Sequence, residues 1–156
     1  MVSKRPVALP SGQSVSIMGT PHLFRVTFWL LFALLGLSYG LDFVIDWSTS
    51  VPGVDVLLHF LGGAWAAIAF FMLCGHLFDG RIFSNTWESS KILLLSISFA
   101  AFVGVLWEFH EFILSSVFGA YLQPSLPDTL GDLLMDILGG TVLGLLFLFS
   151  GSARKE

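Results

Sequence analysis

The sequence predicts an all-α membrane protein: a four-transmembrane-helix bundle with both termini cytoplasmic. Three observations lead there. The chain of 156 residues is 55% hydrophobic and only 12% charged, with a mean hydropathy of +0.85, a composition unsuited to a water-soluble domain. Its apolar residues collect in long runs, and about 20 residues rising 1.5 Å each suffice to cross the hydrocarbon. Four such runs put all the Lys and Arg residues on one side: Lys4, Arg5 and Arg25 before or at the start of the first, Arg81 and Lys91 between the second and third, Arg154 and Lys155 after the fourth. The positive-inside rule makes that side cytoplasmic. The expected location is therefore the cytoplasmic membrane, crossed several times.

The elements follow in order. Residues 1–21 are polar and broken by Pro6, Pro10, Gly12, Gly19 and Pro21, and read as a mobile cytoplasmic tail. The apolar run after them starts too late and runs too long for a signal peptide, so it reads as a first span from Leu23 to Ile45. Pro52 and Gly53 mark a turn, and a second helix runs from Asp55 to Phe78 with Asp55 as its cap. A polar loop, DGRIFSNTWESSK, places Phe83 and Trp87 at the interface. The third helix opens near Ser89 or Lys91 and stops at Gly119. Pro124 and Pro127 break the chain before a fourth helix from Asp128 to Phe149. The membrane domain is thus 22–150, with 151–156 a second cytoplasmic tail. A single cysteine, Cys74, excludes an intrachain disulfide and multi-cysteine metal sites. The net charge of −4 argues against a nucleic-acid partner.

The side without Lys or Arg carries Asp42, Asp46, Asp55, Glu108, Glu111, Asp128, Asp132 and Asp136, with His59 and His110. It is an acidic outer end that attracts cations. Asp128, Asp132 and Asp136 recur every four residues, drifting only about 40° per step around a helix. Asp55 and His59 share a face by the same spacing, and Glu108 and Glu111 form an i, i+3 pair. Gly62–Gly63, Gly104 and Gly139–Gly140 beside them permit close backbone approach. A central acid costs about 2.5–3.5 kcal/mol on insertion scales, so several of them should face the bundle interior.

Two arrangements relieve such crowding: a divalent metal held by carboxylates and imidazole, or carboxyls sharing protons. Oxygen ligands suit magnesium, calcium or manganese, and His59 admits zinc or iron. The candidate metal ligands are His59, Glu108, Glu111, Asp132, Asp136, Asp55 and Asp128. Each has a plainer role to set beside this one. Asp55 and Asp128 serve as caps, Asp132 complements the helix dipole, and Glu111 reaches the headgroups. Asp42 and Asp46 read as solvated, His22, His76 and His110 as interfacial, and Cys74 as a small apolar residue. Glu108, Asp136 and His59 lie inside apolar runs and resist this treatment.

The pattern Asp55-x3-His59, Glu108-x2-Glu111 and Asp128-x3-Asp132-x3-Asp136 followed by Gly139–Gly140 resembles the VanZ-like and YjdF-like small integral membrane proteins over about residues 52–148. Val56 stands where a Lys is common, Glu111 replaces a Gln and Asp136 an Asn, and the Arg that often precedes the last motif is missing. The extra acids bring the chain nearer the YjdF-like pattern and weaken any transfer of a glycopeptide-resistance role. The resemblance implies a site rather than a reaction.

Three functions compete. The first is a cation-binding membrane protein, extended to a metal-dependent enzyme on an envelope lipid or lipid-linked substrate, a metal polarising a phosphoryl or acyl oxygen and a spare carboxylate acting as base. The second is a proton- or cation-coupled transporter, which with four helices would need a homodimer. The third is a non-catalytic envelope accessory protein with a structural polar lock. On the topology itself, a Cys74→Ser background carrying Ser3→Cys should resist a membrane-impermeant maleimide in intact cells, while Ser48→Cys in the same background should label. The opposite pattern would invert the topology.

Overall fold

A computed structural model describes residues 22–45, 50–77, 89–119, 122–123 and 125–152. Four helices account for almost all of them: α1 (His22–Ile45), α2 (Val54–Leu77), α3 (Ser89–Phe118) and α4 (Leu126–Ser152). Each contains a stretch long and apolar enough to cross a membrane: Arg25–Asp42, Val54–Cys74, Ser90–Phe118 and Leu126–Phe149. The N-terminal tail, Asp46, the 2–3 loop with Arg81, Phe83 and Trp87, the cations Arg154 and Lys155, and the side chain of His76 lie outside the described residues.

The helix ends follow from local chemistry. Gly53 has φ +81°, which glycine adopts without steric cost. Its carbonyl accepts the first bond of α2, from Leu57 N at 3.1 Å, so Gly53 occupies the cap position expected of Asp55. At the other end of the next helix, Gly119 has φ +72° and terminates α3 as expected. Helix α4 begins earlier than its prolines suggest. Ser125 caps it: Asp128 N approaches Ser125 Oγ at 3.4 Å and Thr129 N donates to Ser125 O at 3.2 Å. Pro127 then sits in the first turn, where a missing N–H leaves nothing unsatisfied. The cap expected at Asp128 is thus Ser125, three residues earlier, and Asp128 is free to face sideways.

Packing is closest between α2 and α4, with α3 against both and α1 joined mainly to α2. Small residues make this possible. A Cβ on Gly63 would run into the Asp136 carbonyl, and one on Gly139 into the Phe60 carbonyl. On the α3 side, Gly144 lies against Ser96, Gly140 against Ala100 and Gly104 against the Asp136 carboxylate. Residues 96, 100 and 104 meet 144, 140 and 136 in an antiparallel register in which each pair has at least one glycine, which lets backbones close up where no hydrophobic force drives helices together. Hydroxyls in this zone turn back on their own helices, Ser96 Oγ to Leu93 O at 3.0 Å and Thr141 Oγ1 to Ile137 O at 2.7 Å.

One end of the bundle is sealed by apolar side chains. Phe70, Phe71, Cys74 and Ile92 are buried there, with Phe99, Phe147 and Leu148 packed on them. Phe71 and Phe147 stack with centroids 3.8 Å apart. Helix α1 leans on the bundle through Phe28 and Phe32 against Trp65. Its remaining large apolar side chains are mostly exposed, as Leu30 and Val44 are, which suits contact with lipid tails.

The glycine contacts give a direct stability test. Gly63→Ala should destabilise the detergent-solubilised protein by about 1–3 kcal/mol through overpacking. Gly36→Ala, with nothing within 4 Å of its Cβ, should be neutral or stabilising by up to about 1 kcal/mol. Thermal unfolding followed by circular dichroism separates the two, and equal melting temperatures would contradict the α2–α4 contact.

Candidate functional site

The other end of the bundle, where α2 and α4 begin and α3 nears its close, is built around one imidazole. His59 lies one turn beyond Asp55 on α2 and is 5% exposed. Its Nδ1 is 3.2 Å from Asp136 Oδ2. Its Nε2 lies 3.9 Å from both Asp55 Oδ1 and Glu108 Oε1, too far for hydrogen bonds. The ring thus joins α2 to α4 through one nitrogen and aims the other into a group of carboxylates.

Asp136 is where it is because glycines make room. Gly62, Gly63 and Gly104 are its neighbours, and a side chain at 63 or 104 would take its space. Asp132, one turn nearer the helix start, is buried, as are Glu108 and Glu111. Asp55 is half-buried at the rim, as is Asp128.

On α3, Trp107 Nε1 donates to Glu111 Oε1 at 2.7 Å. Gln123, in the connection to α4, donates through Nε2 to Glu108 Oε2 at 3.1 Å and to Thr129 Oγ1 at 3.0 Å. The second Glu108 oxygen, Oε1, is buried with no hydrogen-bond partner. That is the oxygen facing His59.

Ligand atoms from three sets lie within 4.8 Å of one another: Asp55, His59 and Glu111; His59, Glu108 and Asp132; Asp55, Asp128 and Asp132. Six of the seven residues singled out from sequence therefore share these overlapping groups, and Asp136 stands behind His59. Among the described residues the only Lys or Arg are Arg25 and Lys91, near the starts of α1 and α3 and so at the sealed end. Among the described residues, His59 is consequently the sole basic side chain facing the carboxylates there.

His110 points away from this group and meets Tyr39 OH at 3.2 Å, with Tyr39 edge-on to Trp107 at 5.8 Å. These contacts tie α1 to the site end of α3. Trp107 could have been found from its i, i+4 spacing to Glu111. Gln123 carried no such signal, since it stands alone in an irregular connection.

An open-sided cavity of about 360 Å³ lies between α3 and α4. Val105, Phe109, Phe112 and Leu133 form its apolar walls, while Glu108, Gln123 and Thr129 form a polar end. Glu108 thus stands between the cavity and the carboxylate group.

Residues 6–152 match the family described as predicted membrane protein (DUF2238), and the chain belongs to that family. No curated protein and no solved structure matches it.

Proposed function

We propose that this DUF2238 protein binds a divalent cation at the carboxylate end of its bundle, with His59 Nε2, Glu108 and Asp132 as the central ligands. Asp55 and Asp128 supply further oxygens at the rim. The observation that carries this reading is the Glu108 oxygen, buried, unpartnered and turned toward His59. A buried carboxylate oxygen without a donor is costly, and a cation at that point satisfies it together with its neighbours.

Asp136 has a different part in the same arrangement. By accepting from Nδ1–H it fixes the tautomer that leaves the Nε2 lone pair available, as carboxylates behind metal-bound histidines do. The donor set is mostly carboxylate oxygen with one imidazole. It suits magnesium, calcium or manganese, with zinc or iron admitted by the nitrogen.

With both termini cytoplasmic, the site opens outward. Its position in the membrane favours an enzyme acting on an envelope lipid or lipid-linked substrate. A bound cation there would polarise an acyl oxygen, while Glu111, held by Trp107, is placed to accept a proton. The motif pattern also supports kinship with VanZ-like and YjdF-like proteins.

A second reading draws on the crowding of Gly62, Gly63 and Gly104 around Asp136, which would make His59–Asp136 a structural lock. Magnitudes weigh against the lock as the whole account. An interhelical hydrogen bond in a membrane contributes about 0.6–1.7 kcal/mol, less than the roughly 2.5–3.5 kcal/mol cost of one central acid. A transport relay is disfavoured by the apolar seal of Phe70, Phe71 and Phe147 at the other end.

Protein purified in mild detergent should contain close to one equivalent of divalent metal by elemental mass spectrometry. His59→Ala and Asp132→Asn should abolish it, and Asp136→Asn should weaken affinity by about 10–100-fold. Wild-type protein that neither retains nor takes up a divalent metal would overturn the proposal. Variants that melt lower but keep their metal would favour the lock.

A further inference from the structure

The cavity between α3 and α4 has a shape and polarity that the cation site does not use. Its walls lie within the membrane-spanning stretches Ser90–Phe118 and Leu126–Phe149. Val105 and Phe112 lie about 20 Å and 9 Å below the end of α3 at Phe118, at 1.5 Å per residue. Phe109 and Phe112 are 61% and 55% exposed, and at this depth what they are exposed to is hydrocarbon rather than water. The cavity is apolar along its walls and polar at one end only, where Gln123 bridges Glu108 and Thr129. A volume of about 360 Å³ falls within the roughly 300–1,000 Å³ of small-ligand sites.

We infer that this cavity is a lateral binding site for a membrane amphiphile, its hydrocarbon tail between Phe109, Phe112 and Leu133 and an uncharged, hydroxyl-bearing head at Glu108 and Thr129. The inference names the substrate class for the lipid reading above and rests on that reading for what the bound molecule is for. The tail follows from the lining and from the surrounding bilayer, the source of any molecule entering between these helices.

The head follows from charge. Six carboxylates gather at this end and, among the described residues, no Lys or Arg is near them. An anionic head beside Glu108 Oε2 would therefore meet acids with no protein cation to hold it, the proposed metal lying on the far, Oε1 side of that carboxylate. A hydroxyl can donate to the remaining lone pair of Glu108 Oε2 and accept from the Thr129 hydroxyl, whose oxygen already accepts from Gln123. Glu108 then serves two neighbours through separate oxygens, Oε2 toward the cavity and Oε1 toward His59.

The test uses a long-chain primary alcohol carrying a diazirine near its tail end, photocrosslinked to the full-length protein in phosphatidylcholine nanodiscs. Peptide mapping should place the label on Phe109, Phe112 or Leu133. The matched unlabelled alcohol should compete about tenfold or more better than the matched alkyl phosphate, the discrimination expected from a hydrogen bond to a charged group. Leu133→Trp should abolish cavity labelling, and the smaller change Val105→Phe should reduce it in protein whose melting temperature is unchanged. Glu108→Ala should remove the preference for alcohol over the matched alkane.

Label scattered over other lipid-facing helices, or unaltered by both filling variants, overturns the cavity assignment. Equal or better competition by the phosphate overturns the head assignment. Metal content measured on the same samples separates the two proposals. Cavity labelling in metal-free protein removes only the cation site, and metal retained without cavity labelling removes only the lipid site.

Discussion

The structure depends on one constraint: carboxylates from three helices, most of them buried, converge on a single imidazole. His59 is in hydrogen-bond reach of Asp136 and within 3.9 Å of Asp55 and Glu108. In a low-dielectric setting such a group is tolerable only if its members face inward and share a counter-charge. Much else in the bundle can be traced to that need. Gly63 and Gly139 bring α2 and α4 close enough for one ring to bridge them. Gly104 keeps α3 from displacing the Asp136 carboxylate. The exposed apolar surfaces of α1 and α3 keep the remainder compatible with lipid.

The two ends of the bundle are built on opposite principles. At one, aromatic and aliphatic side chains stack without polar atoms between them, as Phe71 and Phe147 do. At the other, donors such as Gln123 and Trp107 hold carboxylates in fixed directions. Depth within the membrane is thereby converted into chemistry. Among the described residues, the buried cluster at the sealed end is apolar apart from the Cys74 thiol, while the buried acids gather at the other. Glu108 is the joint between the proposed cation site and the cavity, since one of its oxygens is held by Gln123 and the other is left facing His59.

Much of this was legible in the sequence because membrane solvent makes strict demands. Four apolar runs became four helices with ends close to those expected, since Gly53 and Gly119 are strong local signals. The i, i+4 spacings of Asp55 with His59 and Asp132 with Asp136 survive because helices keep their period. Other features were hidden where tertiary geometry decides. Ser125 rather than Asp128 caps α4, because Pro127 fits inside a first turn and shifts the helix start. Spacing could not assign Asp136 to the Nδ1 side of His59, which depends on how α4 crosses α2. Gln123 was invisible for a simpler reason: an isolated amide in a connection has no periodicity to betray its partner.

The central claim is that His59 Nε2, Glu108 and Asp132 enclose a cation while Asp136 holds His59 from behind. Anomalous diffraction from crystals of the manganese-loaded protein tests this most directly. The account predicts one strong peak about 2.0–2.6 Å from His59 Nε2 and from carboxylate oxygens of Glu108 and Asp132. Nδ1 should remain hydrogen-bonded to Asp136. A peak on the Nδ1 side between His59 and Asp136, or no peak among these residues, would contradict it.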